Sequence, residues 1–139
     1  MPVTMKVKDV MDKNVVTIDS DATVDVAVRK MVEARVWSLV VQKKGSSEGV
    51  VTERDVIRRC LAKGLSSAKT TVGSIASSPL VTIGPEATLR EAMDVMAAKD
   101  IRRLFVMDRG KIIGRVTQTE AFQSTLSVME IISSLSNTL

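Results

Sequence analysis

The chain has 139 residues, 45% of them hydrophobic and 26% charged, which is the composition of a globular protein with a substantial core. Its net charge of +4 favours anionic partners in general, but the lysines and arginines are scattered, which argues against a nucleic-acid-binding protein. With no histidine and one cysteine, the chain lacks the residues of common zinc sites, of a Ser/His/Asp triad and of a Cys/His nucleophile. The sequence therefore predicts neither an enzyme nor a metal site.

Two further features bear on location and redox state. No apolar run approaches the roughly 18 residues of a membrane helix, and no signal peptide opens the chain, so we expect a cytoplasmic protein with no membrane partner. Cys60 falls on a predicted helix, where a small buried hydrophobic residue is expected, and an intersubunit disulfide is the alternative.

An internal duplication organises the chain. Residues 6–61 align with 71–126 without a gap, at a shift of 65 residues and with 15 identities in 56 positions. The segment Val16–Ile18 falls on Val81–Ile83, and "GVVT" from Gly49 falls on "GRVT" from Gly114. A register of this length, with the Gly and Thr positions kept, indicates two copies of one structural unit.

Each repeat predicts the same elements in the same order. A short amphipathic turn, "KVKDVM" or "TVGSIA", precedes a strand at Val15–Ile18 or Leu80–Ile83. Thr23 or Thr88 is then the expected N-cap of a helix of about 11 residues. Two strands joined by a loop with a glycine follow, Ser38–Gln42 with Gly49–Thr52 and Leu104–Met107 with Lys111–Thr117, and a second helix starts after each Thr. The prediction is an α/β (α+β) fold with the order β-α-β-β-α, twice.

The two repeats are expected to form one domain, because a unit of about 60 residues is marginal alone. The predicted bounds are 1–65 for the first repeat, 66–126 for the second and 127–139 for a C-terminal extension. A polar linker, Lys63–Thr70, contains Gly64 as a helix C-cap. The last residues, "LSVMEIISSLSNTL", carry apolar side chains at three- and four-residue steps up to Leu139, which predicts an amphipathic helix.

The stretch "GVVTERD", Gly49–Asp55, supports two interpretations. Thr52 followed three residues later by Asp55 at a helix start is a capping box, and "TQTE", Thr117–Glu120, fits the same description. Alternatively, the same motif after a strand end in both repeats places free backbone N–H groups where a phosphate could bind. The short carboxylate of Asp55 suits the cis-diol of a ribose, whereas Glu120 makes the better reciprocal cap. This difference predicts one good nucleoside site and one weaker site.

At this point the chain resembles a tandem pair of CBS domains, a Bateman module. The resemblance rests on the duplicated element order, on "GVVTERD" in place of the signature Gly-h-x-Thr/Ser-x-x-Asp, and on "VTI", "ATV" and "IRRLFVMD". It implies that the repeats pack through their sheets with pseudo-two-fold symmetry and leave two related clefts for adenosine compounds. The implied function is a regulatory sensor without a catalytic domain. AMP is the favoured ligand, and ADP, ATP and S-adenosylmethionine are alternatives.

The resemblance also implies site residues. In the first cleft, Asp55 would hold the ribose hydroxyls and Thr52 would contact ribose or phosphate. The adenine would lie near Ser78, Leu80, Val81 and Ile101, and a basic residue among Arg54, Arg102 and Arg103 would face the phosphates; solvated surface arginines are the alternative. The mirror cleft would use Thr117 and Glu120, with Asn14, Val16, Val36 and Ser38 around the base. Its occupancy is the weaker prediction, because Glu120 replaces the usual Asp.

Partners and competing functions complete the expectations. The resemblance implies a homodimer formed through helices, together with an unidentified regulated protein as the recipient of the signal. Trp37, the only tryptophan, is expected to pack at a contact between repeats rather than to stack on a base. A ligand-independent interaction or scaffold protein is the alternative function, in which both Thr-x-x-acid motifs are caps only. Nucleic-acid binding is a third hypothesis that rests on charge alone.

Overall fold

The structure, a computed structural model, describes residues 5–137. The chain forms two compact units. One is Asn14–Val81, called here the Asp55 unit, and the other joins residues 5–13 to residues 82–137 and is called the Glu120 unit. Each unit combines helices with one three-stranded sheet, so the predicted α+β class is confirmed.

The Asp55 unit follows the predicted β-α-β-β-α order. Its sheet consists of β1 (Thr17–Asp19), β2 (Ser38–Lys43) and β3 (Ser46–Thr52), with β1 and β2 parallel and β2 and β3 antiparallel. The crossover between the parallel strands is α2 (Val24–Ala34). The short helix α3 (Glu53–Val56) starts directly after β3 and continues as a π-helical turn, Ile57–Leu61. A further short helix, α4 (Val72–Ile75), completes the unit.

The Glu120 unit repeats this arrangement. It contains α1 (Val7–Val10), β4 (Thr82–Ile83), α5 (Leu89–Ala98), β5 (Arg103–Asp108), β6 (Lys111–Thr117) and α6 (Gln118–Asn137). The predicted second helix and the predicted C-terminal extension are one continuous helix of 20 residues, while Leu139 lies outside the described residues. Across residues 5–137, none of the helices combines the length and apolarity needed to span a membrane.

The two short leading helices are exchanged between the repeats. In the Glu120 unit, the N–H of Val7 donates to the carbonyl of Ala87 at 2.8 Å. In the Asp55 unit, the N–H of Val72 donates to the carbonyl of Ala22, also at 2.8 Å. Each leading helix therefore packs with the sheet of the other repeat. The compact units are consequently divided near residues 13 and 81, whereas the sequence repeats were placed at 1–65 and 66–126.

Two strand starts differ from the sequence prediction. Regular pairing of the parallel strands begins at Thr17 in the first repeat and at Thr82 in the second, two residues later than predicted. In the second repeat, the N–H of Leu80 instead donates to the carbonyl of Glu48 in the Asp55 unit, at 3.2 Å. A hydrogen bond to β3 therefore holds the residues before β4. Strand propensity could not predict this contact, because it joins residues that are far apart in sequence.

The helix N-caps and the hairpin turns of both repeats lie where the sequence predicts them. Thr23 and Thr88 are the N-caps of α2 and α5, and the hydroxyl of Thr88 accepts a hydrogen bond from the N–H of Glu91 at 3.1 Å. The β2–β3 and β5–β6 hairpins turn at Lys44–Gly45 and Arg109–Gly110, and all four residues have positive φ. Positive φ at both central residues is the requirement of a type I′ turn, which explains the glycine at the second position.

The core of the Asp55 unit lies between its helices and one face of its sheet. Leu39, Val41 and Val51 from the strands pack with residues of α2, α3 and α4. Cys60 is fully buried in this cluster, which confirms its predicted burial. Trp37 contradicts its prediction, because its residue surface is 64% exposed within the chain. It directly precedes β2.

A cluster of three charges joins α1 to the loop before α5 in the Glu120 unit. The Nζ atoms of Lys6 and Lys8 lie 2.7 Å and 2.8 Å from the carboxylate of Glu86. Hydrogen bonds from Lys6 and then Lys8 lower the pKa of Glu86 from 4.5 to about 2, and the same contact raises the pKa of Lys8. All three side chains are largely exposed, so the contribution to stability is small and screened by salt.

We expect Glu86→Gln to lower the melting temperature slightly at neutral pH and low salt. Because folding lowers the pKa of Glu86, its contribution is complete above pH 4.5 and is lost as the pH falls towards 2. Thermal unfolding of both proteins between pH 7 and 2 should show the difference shrinking over that window. Glu33→Gln, a change at an exposed residue of α2, is the control and should give no such convergence. A constant difference at all pH values would contradict the assignment.

Candidate functional site

Asp55 is one of two buried polar residues that the described part of the chain contains, with 8% of its surface exposed. Its Oδ2 atom accepts hydrogen bonds from the N–H of Thr52 at 2.9 Å and from the hydroxyl of Thr52 at 3.1 Å. The N–H of Asp55 donates back to the Thr52 hydroxyl oxygen at 3.2 Å. The predicted capping box is therefore formed, and it fixes one carboxylate oxygen of Asp55.

The second carboxylate oxygen of Asp55 has weaker contacts. The hydroxyl of Ser77 donates to Oδ1 at 3.4 Å, and the Nε atom of Arg59 lies 3.9 Å from the same oxygen. Both distances are long for charge-assisted contacts, which are ordinarily below 3 Å. Oδ1 is therefore the oxygen that a stronger donor, such as a hydroxyl of a bound molecule, could take over without disturbing the cap.

Ser77 reaches Asp55 because the segment after α4 runs alongside β3. The backbone groups of Ser77 and Val50 exchange two hydrogen bonds, of 2.8 Å and 2.9 Å. The approach is close at residue 49, where a Cβ atom would lie 2.5 Å from the carbonyl oxygen of Ser77. Only glycine fits there, which gives the glycine of "GVVTERD" a packing role.

The predicted residues of the first cleft fall into two groups. Thr52, Arg54, Asp55, Ser78, Leu80 and Val81 belong to the Asp55 unit. Ser78 follows Ser77 directly and is exposed, as is Arg54, whereas Leu80 and Val81 are half-buried. Ile101, Arg102 and Arg103 belong to the Glu120 unit, where Arg103 is the first residue of β5. Arg102 is exposed and Arg103 is half-buried.

The predicted weaker cleft also draws on both units. Asn14, Val16, Val36 and Ser38 are residues of the Asp55 unit, and Thr117 and Glu120 are residues of the other. Within its own unit, Glu120 accepts hydrogen bonds through Oε2 from the N–H of Thr117 at 3.1 Å and from the Thr117 hydroxyl. The longer Glu side chain thus closes the cap in the way predicted from "TQTE".

Ser38 stands out among these residues. It is 4% exposed and lies opposite Thr52 in the β2–β3 pairing. Within residues 5–137, its hydroxyl oxygen has no hydrogen-bond partner. A buried hydroxyl without a partner is uncommon in native proteins, so the position next to Thr52 retains unused hydrogen-bonding capacity.

Sequence reasoning missed Arg59 and Ser77 near Asp55, and the pair Asp12 and Arg115 in the other unit. The Nη2 atom of Arg115 lies 3.0 Å from Oδ2 of Asp12, and both residues are mostly buried. Asp12 is the repeat equivalent of Ser77. The i, i+4 spacing of Asp55 and Arg59 was a usable signal, whereas the other contacts join residues far apart in sequence.

The residues that the structure describes contain no group of three or more Cys, Asp or Glu arranged to hold a metal ion. The polar groups around Asp55 are a carboxylate, hydroxyls, a guanidinium and backbone amides. Such a set suits a ligand that carries hydroxyl groups and negative charge.

Comparisons with known proteins find one family. The CBS domain model matches residues 7–62 and again 72–126. The CBS domain-containing protein YhcV of Bacillus subtilis is 30% identical over 131 residues, which cover 94% of this chain and 93% of that protein. A conserved protein of Pyrococcus horikoshii has a similar structure, with a TM-score of 0.82, 29% identity and coverage of 90% and 95%. A hexameric CBS-CP12 protein from bloom-forming cyanobacteria has a TM-score of 0.81 and 28% identity, covering 87% of this chain and 68% of that one.

Proposed function

Because the chain belongs to the CBS-domain family and contains two CBS domains, we propose that it is a regulatory module that senses an adenine nucleotide. AMP is the ligand that we favour, with ADP, ATP and S-adenosylmethionine as alternatives. The observation that carries the proposal is the state of the Asp55 carboxylate. It is buried, its Oδ2 is fixed by Thr52, and its Oδ1 has only long contacts to Ser77 and Arg59.

The proposed roles in the Asp55 unit follow from this geometry. The ribose hydroxyls donate to Oδ1 of Asp55, which replaces long contacts by short, charge-assisted ones. The hydroxyl of Thr52 lies beside the same group and contacts the ribose or the first phosphate. Ser78, Leu80 and Val81 follow Ser77 along the chain and offer backbone groups and apolar surface to the base. The cleft at Glu120 is proposed to bind the nucleotide more weakly. Glu120 replaces the Asp of the first repeat, and its longer side chain is engaged in the cap of its own helix.

A titration of the full chain tests the proposal. AMP, ADP, ATP, S-adenosylmethionine and, as a control, GMP are added while unfolding is followed by heat and binding by calorimetry. A ligand of the native state at 100 times its Kd stabilises by about 2.7 kcal/mol, so adenine compounds should raise the melting temperature measurably. Absence of any effect at millimolar concentrations would overturn the proposal.

The alternative is a ligand-independent scaffold, and one observation favours it: the acid of each Thr-x-x-acid motif already has a capping role, since Asp55 and Glu120 each accept the backbone N–H of their Thr. In that case nucleotides would leave the melting temperature unchanged, and Asp55→Ala would lower it simply through loss of a cap. Nucleic-acid binding is supported by the net charge alone. It predicts a salt-sensitive shift of RNA or DNA in a gel, which the sensor hypothesis does not.

We also propose that the module is a homodimer that pairs through its helices. Four positions of the α2 and α3 region are exposed and apolar, and their repeat equivalents on α5 and α6 are exposed and apolar as well. They are Val28, Val32, Ile57 and Leu61 in the Asp55 unit, and Met93, Ala97, Phe122 and Leu126 in the Glu120 unit. Met93 and Phe122 line a groove of about 680 Å³. An apolar surface repeated in this way is typical of an interface between copies.

Phe122→Glu should convert the dimer into a monomer, raising the dimer dissociation constant by about a hundredfold or more. The reason is that pairing would bury an unpaired carboxylate in place of a ring that is 65% exposed in the single chain. Sedimentation velocity over a range of concentrations measures the change. Gln123→Glu adds the same charge at the neighbouring exposed position and should leave the dimer intact. An unchanged mass for Phe122→Glu would contradict this interface.

A further inference from the structure

Arg59 lies at the point where the helix that carries Asp55 meets the segment that carries Ser77. Its Nη1 atom donates to the carbonyl oxygens of Ile75 at 3.1 Å and Ala76 at 3.3 Å. Its Nε atom lies 3.9 Å from Oδ1 of Asp55. One guanidinium therefore joins two elements of the Asp55 unit and faces the carboxylate oxygen that the cap leaves available.

The contacts of Arg59 with Ile75 and Ala76, called the clamp here, influence Ser77, the residue that also contacts Asp55. Ile75 and Ala76 immediately precede Ser77, whose hydroxyl donates to Oδ1. Ile75 ends α4 and Ala76 is its C-cap, so Arg59 satisfies carbonyl groups at the end of a helix. With these carbonyls fixed, the position of Ser77, and through it the environment of Oδ1, is fixed too.

The local backbone supports this placement. Arg59 is the middle residue of the π-helical turn Ile57–Leu61, in which the N–H of Ala62 donates to the carbonyl of Ile57 at 2.8 Å. Turns of this kind inside helices are rare and are frequent at functional sites. The equivalent residues of the second repeat are part of the regular helix α6.

The Glu120 unit lacks this clamp. Ser124 stands at the position equivalent to Arg59, and Asp12 stands in the place of Ser77. We call the residues around Ser77 in the Asp55 unit, and those around Asp12 in the Glu120 unit, the crossing segment of that unit. In the Glu120 unit the crossing segment is fixed by Arg115 of β6, whose guanidinium pairs with Asp12. Each unit thus fixes its crossing segment with one arginine, but only in the Asp55 unit does that arginine also face the acid of the Thr-x-x-acid motif.

We propose that Arg59 is a positioning residue that sets the affinity of the Asp55 carboxylate for the ribose hydroxyls of a nucleoside ligand. It does so by aligning Oδ1 and Ser77 rather than by contacting the phosphate. The inference rests on the proposed nucleotide binding by Asp55. It also gives a structural reason, beyond the exchange of Asp for Glu, why the two repeats should differ in affinity.

The test is calorimetric titration of the full chain with adenosine and with AMP. Arg59→Ala should weaken both ligands by the same factor, about tenfold, because the ribose is common to them. In an Asp55→Ala background, Arg59→Ala should cause no further loss. Arg58→Ala, which removes an equal charge from the neighbouring exposed residue, is the control and should bind like the unchanged protein. Arg59→Lys keeps one donor on a cation, should lose about threefold, and serves if the alanine variant does not fold.

The outcomes separate this inference from the proposed function. A loss for AMP several times larger than for adenosine would show a direct phosphate contact and overturn the positioning role. Equal binding by Arg59→Ala and the unchanged protein would overturn it as well, while nucleotide binding itself would stand. If the unchanged protein binds none of AMP, ADP, ATP and S-adenosylmethionine, the proposed function fails and this inference fails with it.

Discussion

Asp55→Ala is expected to weaken AMP binding by roughly 10- to 100-fold. The variant removes a charged acceptor that is buried and already oriented by Thr52, and hydrogen bonds to charged groups contribute about 1.5–3 kcal/mol, where every 1.4 kcal/mol is tenfold in Kd. Calorimetry at constant pH and salt measures the change. The variant also loses its half of the capping box, which costs about 1 kcal/mol of stability, so its melting temperature should fall by a few degrees.

Glu120→Ala is the matched control, because it removes the equivalent half of the cap in the second repeat. Its stability loss should resemble that of Asp55→Ala, while its effect on AMP binding should be at least several times smaller. Asp55→Asn adds a second comparison, since it keeps the size of the side chain and removes the charge. Equal losses of AMP affinity for the two alanine variants would contradict the proposed ranking of the repeats.

Gly49→Ala is expected to destabilise the protein by about 2–3 kcal/mol. The added Cβ would lie 2.5 Å from the carbonyl oxygen of Ser77 and 3.4 Å from its carbonyl carbon, and both are backbone atoms held by the hydrogen bonds between Ser77 and Val50. Relief of the overlap requires separating the crossing segment from β3, a shift of the kind that overpacking costs at 1–3 kcal/mol or more. A fall of the melting temperature by roughly 4–10 °C, with reduced urea resistance, should result.

Substitutions at two other glycines serve as controls for the stability loss of Gly49→Ala. At Gly114, the repeat equivalent, an added Cβ would meet the Sδ atom of Met11 at 2.5 Å and the carbonyl oxygen of Asp12 at 3.2 Å. A methionine side chain moves more easily than backbone, so Gly114→Ala should cost clearly less than Gly49→Ala. At Gly84 nothing lies within 4 Å, and Gly84→Ala should be neutral or slightly stabilising. Similar losses at all three positions would show that close approach is not the cause.

The asymmetry of the repeats links these two predictions. In the Asp55 unit the crossing segment, the glycine beside it and the acid of the cap are all in contact through Ser77. A change at Gly49 should therefore reduce AMP affinity as well as stability, whereas Gly84→Ala should reduce neither. In the Glu120 unit the equivalent residue, Asp12, is held instead by the charge of Arg115.

The sequence by itself determined the duplication, which is visible as a shift of 65 residues, and many of the features that depend on short-range interactions. The element order, the N-caps at Thr23 and Thr88, the caps of the two Thr-x-x-acid motifs and the glycine turns of the hairpins follow from residues within a few positions of one another. Caps and turns are local because the donor and the acceptor are fixed by the same short piece of backbone. The burial of Cys60 was predicted from its residue type, because a free cysteine on a helix behaves as a small hydrophobic residue.

Only the tertiary structure decided which sheet each leading helix joins and which groups surround Asp55. A four-residue helix such as α4 has an apolar side, but its sequence does not indicate which sheet that side packs against. Its position is fixed by backbone hydrogen bonds between Val72 and Ala22 and between Ser77 and Val50. The later starts of β1 and β4 and the exposure of Trp37 also depend on contacts between distant parts of the chain, which the local sequence does not determine. Residues 20 to 80 positions apart meet because closing the fold buries apolar surface on both, and that free energy depends on the whole chain rather than on any local pattern.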